Sequence, residues 1–182
     1  AFDDVLHLAP DDVGSLNNKG VVLKSLAVSQ TICSQIQEAK QSYIDSVATS
    51  DNALKYAPDS VLTLNNKGNA LHHLAALQTS CGQTEEARQN CVESIAAFDD
   101  ALKLAPSYVG ALSNKGNALQ RLAAVEIACS QHGQAQRAYE AAIAAYSKAL
   151  TYSPENARIM SNKGGLLISL FQLQASQGLA EE

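Results

Sequence analysis

Apolar residues recur at helical spacing through the middle of this chain of 182 residues. Between about Val61 and Cys81, leucines occupy one face of a helix at Leu64, Leu71, Leu74 and Leu77. After the turn CGQTEE, a second stripe runs from about Glu85 to Leu104 and comprises Ala87, Cys91, Ile95, Phe98, Ala101 and Leu102. Gly82 lies in that turn and is a natural helix terminator. The pattern predicts two helices of about 20 residues, each roughly 30 Å long.

This pair of helices belongs to an internal repeat with a step of 48 residues, on which all four prolines lie: Pro10, Pro58, Pro106 and Pro154. The string NNKG occurs at Asn17–Gly20 and Asn65–Gly68, and SNKG occurs at Ser113–Gly116 and Ser161–Gly164. Because proline cannot continue a helix, each proline is predicted to end the second helix of a unit. The predicted N-caps of the following helices are Asp11, Asp59, Ser107 and, as a weaker cap, Glu155.

The repeat predicts one array over residues 1–182, with about seven full antiparallel helices and one partial helix. The units are 11–58, 59–106, 107–154 and a partial unit 155–182, after residues 1–10, which end a preceding helix. The inter-helix turn is predicted to shift to Gly133 in the third unit and to recur as SQGLAEE at the end of the chain. Since neither end has a polar capping unit, we expect a longer parent array or open ends that pair with another surface.

The segments Leu64–Leu71 (LNNKGNAL) and Ala97–Pro106 (AFDDALKLAP) together resemble the tetratricopeptide repeat (TPR). The family's small residue, late aromatic-x-x-Ala-Leu and closing proline are matched by Gly68, Phe98, Ala101 and Pro106. The resemblance implies an all-α, right-handed helix-turn-helix solenoid whose first helices line a concave surface. The family unit has 34 residues, so each helix here is about two turns longer, which leaves its apolar face unrotated.

The composition argues against nucleic-acid binding and against membrane-spanning helices. The net charge of −5 and the pI of about 5.3 argue against nucleic acid as a partner. No run approaches the roughly 18 apolar residues of a membrane helix. Cys33, Cys81 and Cys129 keep the repeat step, so they lie roughly 10 Å apart, too far for a disulfide. We expect buried thiols in a reducing compartment, most simply the cytoplasm, with a metal or redox role as the alternative.

No pattern of catalytic residues is present, and we expect neither an enzyme nor a bound cofactor or metal. His72 and His73 are adjacent, so on a helix they point about 100° apart and cannot chelate one ion. No acid pair, nucleophile elbow or glycine-rich phosphate loop is recognisable. The repeated glycines are predicted to let paired helices approach closely, at Gly20, Gly68, Gly116 and Gly164.

Asparagine occupies one repeat position in all four units, although it is a poor residue for a helix interior: Asn18, Asn66, Asn114 and Asn162. This column resembles the asparagine ladder of the O-linked N-acetylglucosamine transferase superhelix, which grips the backbone of an extended peptide. The alternative is that these amides form hydrogen bonds between neighbouring repeats. One turn later, Asn69 and Asn117 vary between units, as residues facing a partner would.

Charge is segregated between the two kinds of helix. The first helices of the units carry seven basic residues, Lys19, Lys24, Lys67, Lys115, Arg121, Arg158 and Lys163, against the single acid Glu126. A positive inner layer on an acidic body predicts an acidic peptide ligand. Alternatively, the methylene chains of the repeated lysines lie along the helix, and their ammonium groups point to an edge of the helix.

The sequence therefore predicts a scaffold that binds an extended, acidic peptide or partner protein. The candidate binding residues are Asn17, Asn18, Lys24, Asn65, Asn66, Asn69, His72, His73, Asn114, Asn117, Gln120, Arg121 and Asn162. The lysine-and-asparagine clamp by which some TPR domains hold chaperone tails is absent. The alternative functions are a regulatory arm of an enzyme, and self-assembly into a homo-oligomer through a terminal face with Leu166, Leu167, Leu170, Phe171 and Leu173.

Overall fold

A computed structural model describes residues 2 to 178, and every element within this range is an α-helix. The eight helices are α1 (Phe2–Leu8), α2 (Val13–Ile32), α3 (Ile36–Tyr56), α4 (Val61–Ser80), α5 (Thr84–Leu104), α6 (Val109–Ala128), α7 (His132–Tyr152) and α8 (Ala157–Gly178). The predicted all-α repeat solenoid, with seven full helices and one partial helix, is confirmed. The turn predicted at SQGLAEE includes residues 179–182, which lie outside the described range. No helix in that range has the length and apolarity needed to cross a membrane.

Consecutive helices pack as hairpins, α2 with α3, α4 with α5 and α6 with α7. The first helices of these hairpins, α2, α4 and α6, also contact one another, whereas successive second helices have no comparable contact. The first helices therefore lie closer together and form the inner wall of a curved array. We call α2, α4, α6 and the equivalent helix α8 the inner helices, and α1, α3, α5 and α7 the outer helices.

The repeated glycine sets the distance between the two helices of a hairpin. A Cβ added at Gly68 would lie 2.7 Å from the ring of Phe98, and one at Gly116 would lie 2.6 Å from the ring of Tyr146. Both aromatic rings are fully buried against the glycine of the facing helix. The predicted close approach is thus confirmed at these two positions. Gly164 has no such neighbour within 4 Å among the described residues.

The turn between the helices of each hairpin contains one residue in the left-handed region. These residues are Ser34, Gly82 and Ser130, with φ of 60°, 71° and 59°. The expected shift of the turn to Gly133 is wrong, because Ser130 adopts the left-handed conformation and Gly133 lies in the first turn of α7. A serine is strained there, since its Cβ crowds the backbone in a way that glycine avoids.

The N-caps of the inner helices lie one residue later in the chain than predicted, whereas α4 begins at Val61, as predicted. Their N-caps are Asp12, Ser60 and Tyr108, and the Asn156 side chain accepts a hydrogen bond from the Ile159 N–H at 3.2 Å. The reason is a turn built around each proline, in which Ser60 N–H donates to Ala57 O at 3.2 Å. Proline and the following residue occupy the middle of that turn. The cap therefore falls on the second residue after the proline.

The prediction that the cysteines are buried is wrong for three of the four. Cys33, Cys81 and Cys129 are exposed at the C-caps of inner helices, at the turn between the two helices of each hairpin. Cys91 lies on the buried face of α5, and burial raises its pKa to about 11. A repeat step of 48 residues carries a residue to the same place in each unit but does not say whether that place is buried.

Candidate binding groove

Three of the seven basic residues on the inner helices are neutralised by the outer helix that precedes them. The ion pairs are Lys19–Asp3 at 2.6 Å, Lys67–Asp51 at 2.5 Å and Lys115–Asp99 at 2.5 Å. Each pair joins residues that are 16 positions apart in the chain. The single acid of the inner helices, Glu126, is buried and accepts a hydrogen bond from Arg88 Nε at 2.8 Å. These lysines therefore add little positive potential to a ligand in the groove.

The fourth lysine of the column lacks this partner. Ser147 stands where the other units have aspartate, and Lys163 forms no ion pair within residues 2–178. The basic residues of the inner helices that remain unpaired in the described structure are Lys24, Arg121, Arg158 and Lys163. Two of them, Lys24 and Arg121, flank the centre of the inner wall.

His72 and His73 lie between these two cations, on α4. The His73 ring stacks on Tyr43 with centroids 6.0 Å apart and planes at 5°, on the side of α2 and α3. The His72 ring meets His73 edge to face at 5.4 Å and lies on the side of α6. Burial, Arg121 and His73 together lower the pKa of His72 to about 3. Burial, Lys24 and Arg121 lower the pKa of His73 as well.

A polar depression of about 310 Å³ opens between α4 and α6, lined by His72, Asn117, Gln120, Arg121 and Ala124. Two nitrogen atoms of this lining, His72 Nδ1 and Arg121 Nε, are buried and have no hydrogen-bond partner among residues 2–178. Buried polar groups are nearly always paired, because an unpaired one costs about 1–3 kcal/mol. A ligand with hydrogen-bond acceptors would therefore satisfy polar atoms that the described residues leave unpaired.

An apolar depression of about 330 Å³ lies on the other side of α4. Its lining includes Val28, Ile32, Tyr43, His73 and Leu77, from α2, α3 and α4. Tyr43 was not among the candidate residues, because it lies on an outer helix at the position of Cys91 and Tyr139. The repeat pattern marks that position as buried, and nothing in it distinguishes the tyrosine that stacks on His73.

The asparagine column divides into two groups. Asn114 Nδ2 donates to Asn65 Oδ1 at 3.1 Å, and Asn162 Nδ2 donates to Asn117 Oδ1 at 3.3 Å. Asn117 Oδ1 also accepts from the Tyr146 hydroxyl at 2.6 Å. In both cases the amides connect successive inner helices. Burial raises the pKa of Tyr146 to about 12, so its hydroxyl keeps the proton that it donates.

The other asparagine side chains have no partner within the described range: Asn17, Asn18, Asn66 and Asn69. Asn66 is half-buried and stands in the same repeat position as Asn114. Asn17 Oδ1, which is the counterpart of the acceptor on Asn65, is buried but unpaired. Asparagine amides therefore connect the inner helices from α4 to α8, whereas those between α2 and α4 remain without a partner in the described residues.

The candidate residues are distributed unevenly over the structure. Six of them gather at the centre of the inner wall: Lys24, His72, His73, Asn117, Gln120 and Arg121. The remaining asparagines are spread along the inner helices α2, α4, α6 and α8. Asn65 is only 6% exposed, so its side chain serves the contact with α6. Their assignment to ligand binding remains a prediction. No cluster of three His, Cys, Asp or Glu residues that could hold a metal occurs between residues 2 and 178.

No protein-family model and no curated protein matches the sequence. Among solved structures, the first TPR domain of human RPAP3, determined by NMR, is similar with a TM-score of 0.51 and 16% identity, over 88% of this chain and 98% of that one. The first TPR of Spaghetti (RPAP3), bound to the HSP90 peptide SRMEEVD, has a TM-score of 0.43 and 20% identity, over 90% and 95% of the two chains. A crystal structure of MamA has a TM-score of 0.39 and 16% identity, over 98% and 87%. The chain thus has a TPR-like helical repeat fold, as its repeat pattern predicts.

Proposed function

We propose that this chain is a protein–protein interaction scaffold that binds an extended acidic segment of a partner along the inner wall. The observation that carries the proposal is the unpaired charge of Lys24 and Arg121 at the centre of that wall. The only acid of the inner helices, Glu126, is already engaged by Arg88. A positive concave surface on a chain of net charge −5 attracts an acidic ligand to one place.

The free amides suit the backbone of such a ligand. Asn66 and Asn69 each offer one donor group and one acceptor on the inner wall. Neighbouring repeats are roughly 10 Å apart, and an extended chain rises about 3.3 Å per residue. About three ligand residues therefore span one repeat. A ligand in the polyproline II conformation, which has three residues per turn, would present equivalent backbone groups to the amides at one repeat position.

The first prediction concerns the central cations. The double variant Lys24→Gln, Arg121→Gln should weaken binding of an extended Glu-Ser repeat peptide by about tenfold or more, equivalent to roughly 1.4 kcal/mol. The loss is expected because the attraction of these cations for the ligand carboxylates disappears. Fluorescence anisotropy with a labelled peptide, at low and high salt, measures the effect.

The matched control is Arg137→Gln, which removes an exposed cation from the outer helix α7. This variant should bind like the wild type, since it changes the net charge but not the groove. A Gln-Ser peptide should bind much more weakly than the Glu-Ser peptide. Equal binding of the two peptides, or an equal loss in the control variant, would contradict the proposed function.

Self-assembly is the second candidate, and the exposed face of α8 favours it. Leu167, Ile168 and Phe171 are exposed, with Phe171 at 70%. Leu166 and Leu173, which were expected on the same open face, are instead buried against the preceding helices. The available apolar face is therefore narrower than the sequence predicts. Size-exclusion chromatography with light scattering distinguishes a self-assembling chain from a monomeric binding module.

A further inference from the structure

Resting on the proposed function, we propose that the polar depression between α4 and α6 is a subsite for one carboxylate of the partner. Arg121 and His72 hold this carboxylate between them, and His72 gains a proton from solvent when the subsite fills. The subsite thereby makes recognition of the acidic ligand dependent on pH. Binding of the rest of the ligand depends on the remaining residues of the inner wall.

The unpaired atoms of the depression define the chemistry that fits it. Arg121 Nε carries an N–H that can only donate, and it is buried with no acceptor within the part of the chain that the structure describes. His72 Nδ1 is buried and unpaired in the same depression. A carboxylate offers two acceptor oxygens, so it can satisfy both nitrogens at once when His72 Nδ1 carries a proton.

Asn117 is oriented to add a further donor. Its Oδ1 atom already accepts hydrogen bonds from the Tyr146 hydroxyl and from Asn162 Nδ2. These two contacts fix the side-chain amide, so the nitrogen end remains as the donor toward the depression. Three nitrogen atoms that can donate surround one space, and none of its described lining residues is a carboxylate, so the depression favours an anionic oxygen ligand.

The surroundings of His72 explain why it is neutral in the free protein. The charged groups near it are Arg121 on α6 and Lys24 on α2, and its neighbour on α4 is His73. Tyr43 on α3 and Cys91 on α5 are neutral, because burial raises the pKa of each. The single acid of the inner helices, Glu126, is engaged by Arg88. Burial and these cations lower the pKa of His72 to about 3.

A bound carboxylate reverses this balance. The negative charge compensates Arg121 and attracts a proton to the neighbouring imidazole, so the pKa of His72 rises in the complex. The complex then carries one more proton than its separated components, and that proton comes from solvent. By linkage, affinity increases as pH falls from 8 to 6, by at most about tenfold per pH unit for one proton.

The test is isothermal titration calorimetry of the intact chain with the Glu-Ser peptide at pH 6 and pH 8. Parallel runs in buffers of different ionisation enthalpy count the protons taken up. We expect net uptake and several-fold tighter binding at pH 6. His72→Gln should abolish the uptake and leave the affinity similar at the two pH values. His132→Gln is the matched control, since His132 is exposed at the start of α7, and it should behave like the wild type.

Two further experiments identify which group of the ligand supplies the carboxylate and whether His72 is the ring that takes up the proton. A Gln-Ser peptide with a free C-terminus, compared with its amidated form, reports whether a chain end fills the subsite in place of a side chain. Proton uptake with either carboxylate supports the subsite. Nitrogen chemical shifts of His72 should change to those of an imidazolium when peptide is added at pH 6.5, and a ring that stays neutral overturns the proposal.

The outcomes separate this inference from the proposed function. If the Glu-Ser peptide binds in a salt-sensitive manner but without proton uptake, the subsite is disproved and the scaffold stands. If none of these peptides binds at any pH while circular dichroism shows a folded protein, both proposals are disproved. Uptake that persists in His72→Gln also overturns the assignment to this histidine.

Discussion

Asparagines at one repeat position differ in what they do, because each depends on a partner in the neighbouring unit. Asn114 donates to Asn65, whereas the equivalent amide of Asn66 has no partner within the described residues. The two residues have the same neighbours in sequence, NKGN. Only their tertiary contacts separate a brace from a free amide, so the sequence left the ladder and the brace as open alternatives.

This difference gives a paired prediction. Asn114→Ala should lower the free energy of unfolding by about 1 kcal/mol, because Asn65 Oδ1 would remain buried without its donor. Asn66→Ala should leave stability unchanged or raise it by a few tenths of a kcal/mol, since alanine is the better helix former. It should weaken binding of the Glu-Ser peptide several-fold. Urea denaturation and fluorescence anisotropy measure the two effects.

Each variant is the control for the other, because both remove the same side chain from the same repeat position. A free-amide role for Asn66 requires loss of binding without loss of stability. If Asn66→Ala unfolds as readily as Asn114→Ala, the first pair of inner helices is also braced through this column.

At the scale of helices, the repeated glycine shows how pairing depends on the facing residue. Gly68 and Gly116 lie under the rings of Phe98 and Tyr146, while Gly20 faces the hydroxyl of Ser50. Glycines at the same repeat position therefore pack against different side chains in different units. The helices themselves follow from local signals, namely the apolar stripes, the prolines and the turn residues. Their observed bounds match the sequence prediction to within a residue or two.

The glycines provide the prediction at this scale. Gly68→Ala should destabilise the protein by about 1–3 kcal/mol, because the new Cβ would clash with Phe98 at 2.7 Å and force α4 and α5 apart. Gly164→Ala, at the same repeat position of α8, should stabilise it by about 0.5–1 kcal/mol. No described atom lies within 4 Å of that Cβ, so only the gain in helix propensity remains.

Thermal or urea unfolding followed by circular dichroism at 222 nm measures both substitutions. Opposite signs are the expected outcome. A loss of stability in Gly164→Ala comparable to that in Gly68→Ala would show that α8 also packs against a helix at its glycine, and it would contradict the open surface at Gly164.

At the scale of the whole molecule, charge is organised in two layers. The outer helices supply the aspartates that neutralise Lys19, Lys67 and Lys115, and the centre of the inner wall keeps unpaired cations around two neutral histidines. The sequence pattern overestimates the positive charge that the inner helices can offer to a ligand. Three of its seven basic residues are engaged by acids 16 residues earlier in the chain.

The partly buried histidines predict how stability depends on pH. The pKa of His72 is about 3 in the folded protein and about 6.5 when the chain is unfolded. Between these values the unfolded chain binds an extra proton, so stability is fully present above about pH 6.5 and falls as pH decreases. The slope for one such group approaches 1.4 kcal/mol per pH unit.

Urea denaturation between pH 7.5 and 5 checks this dependence, in a range where most carboxylates stay ionised. His72→Gln should flatten the pH dependence, while His132→Gln on the exposed start of α7 should leave it unchanged. An unaltered slope in His72→Gln would show that this imidazole is not held neutral by the fold.

The sequence by itself determined the helices, their lengths, the repeat and the TPR-like solenoid, because these depend on residues three to seven apart and on an exact step of 48. The assignment of candidate residues to ligand binding stays a prediction. Only the tertiary structure decided which repeated asparagines, lysines and cysteines are paired, free or exposed. The physical reason is that each such state depends on an atom of another helix, as with Asn65 for Asn114 and Asp99 for Lys115, and a periodic pattern assigns the same environment to every copy.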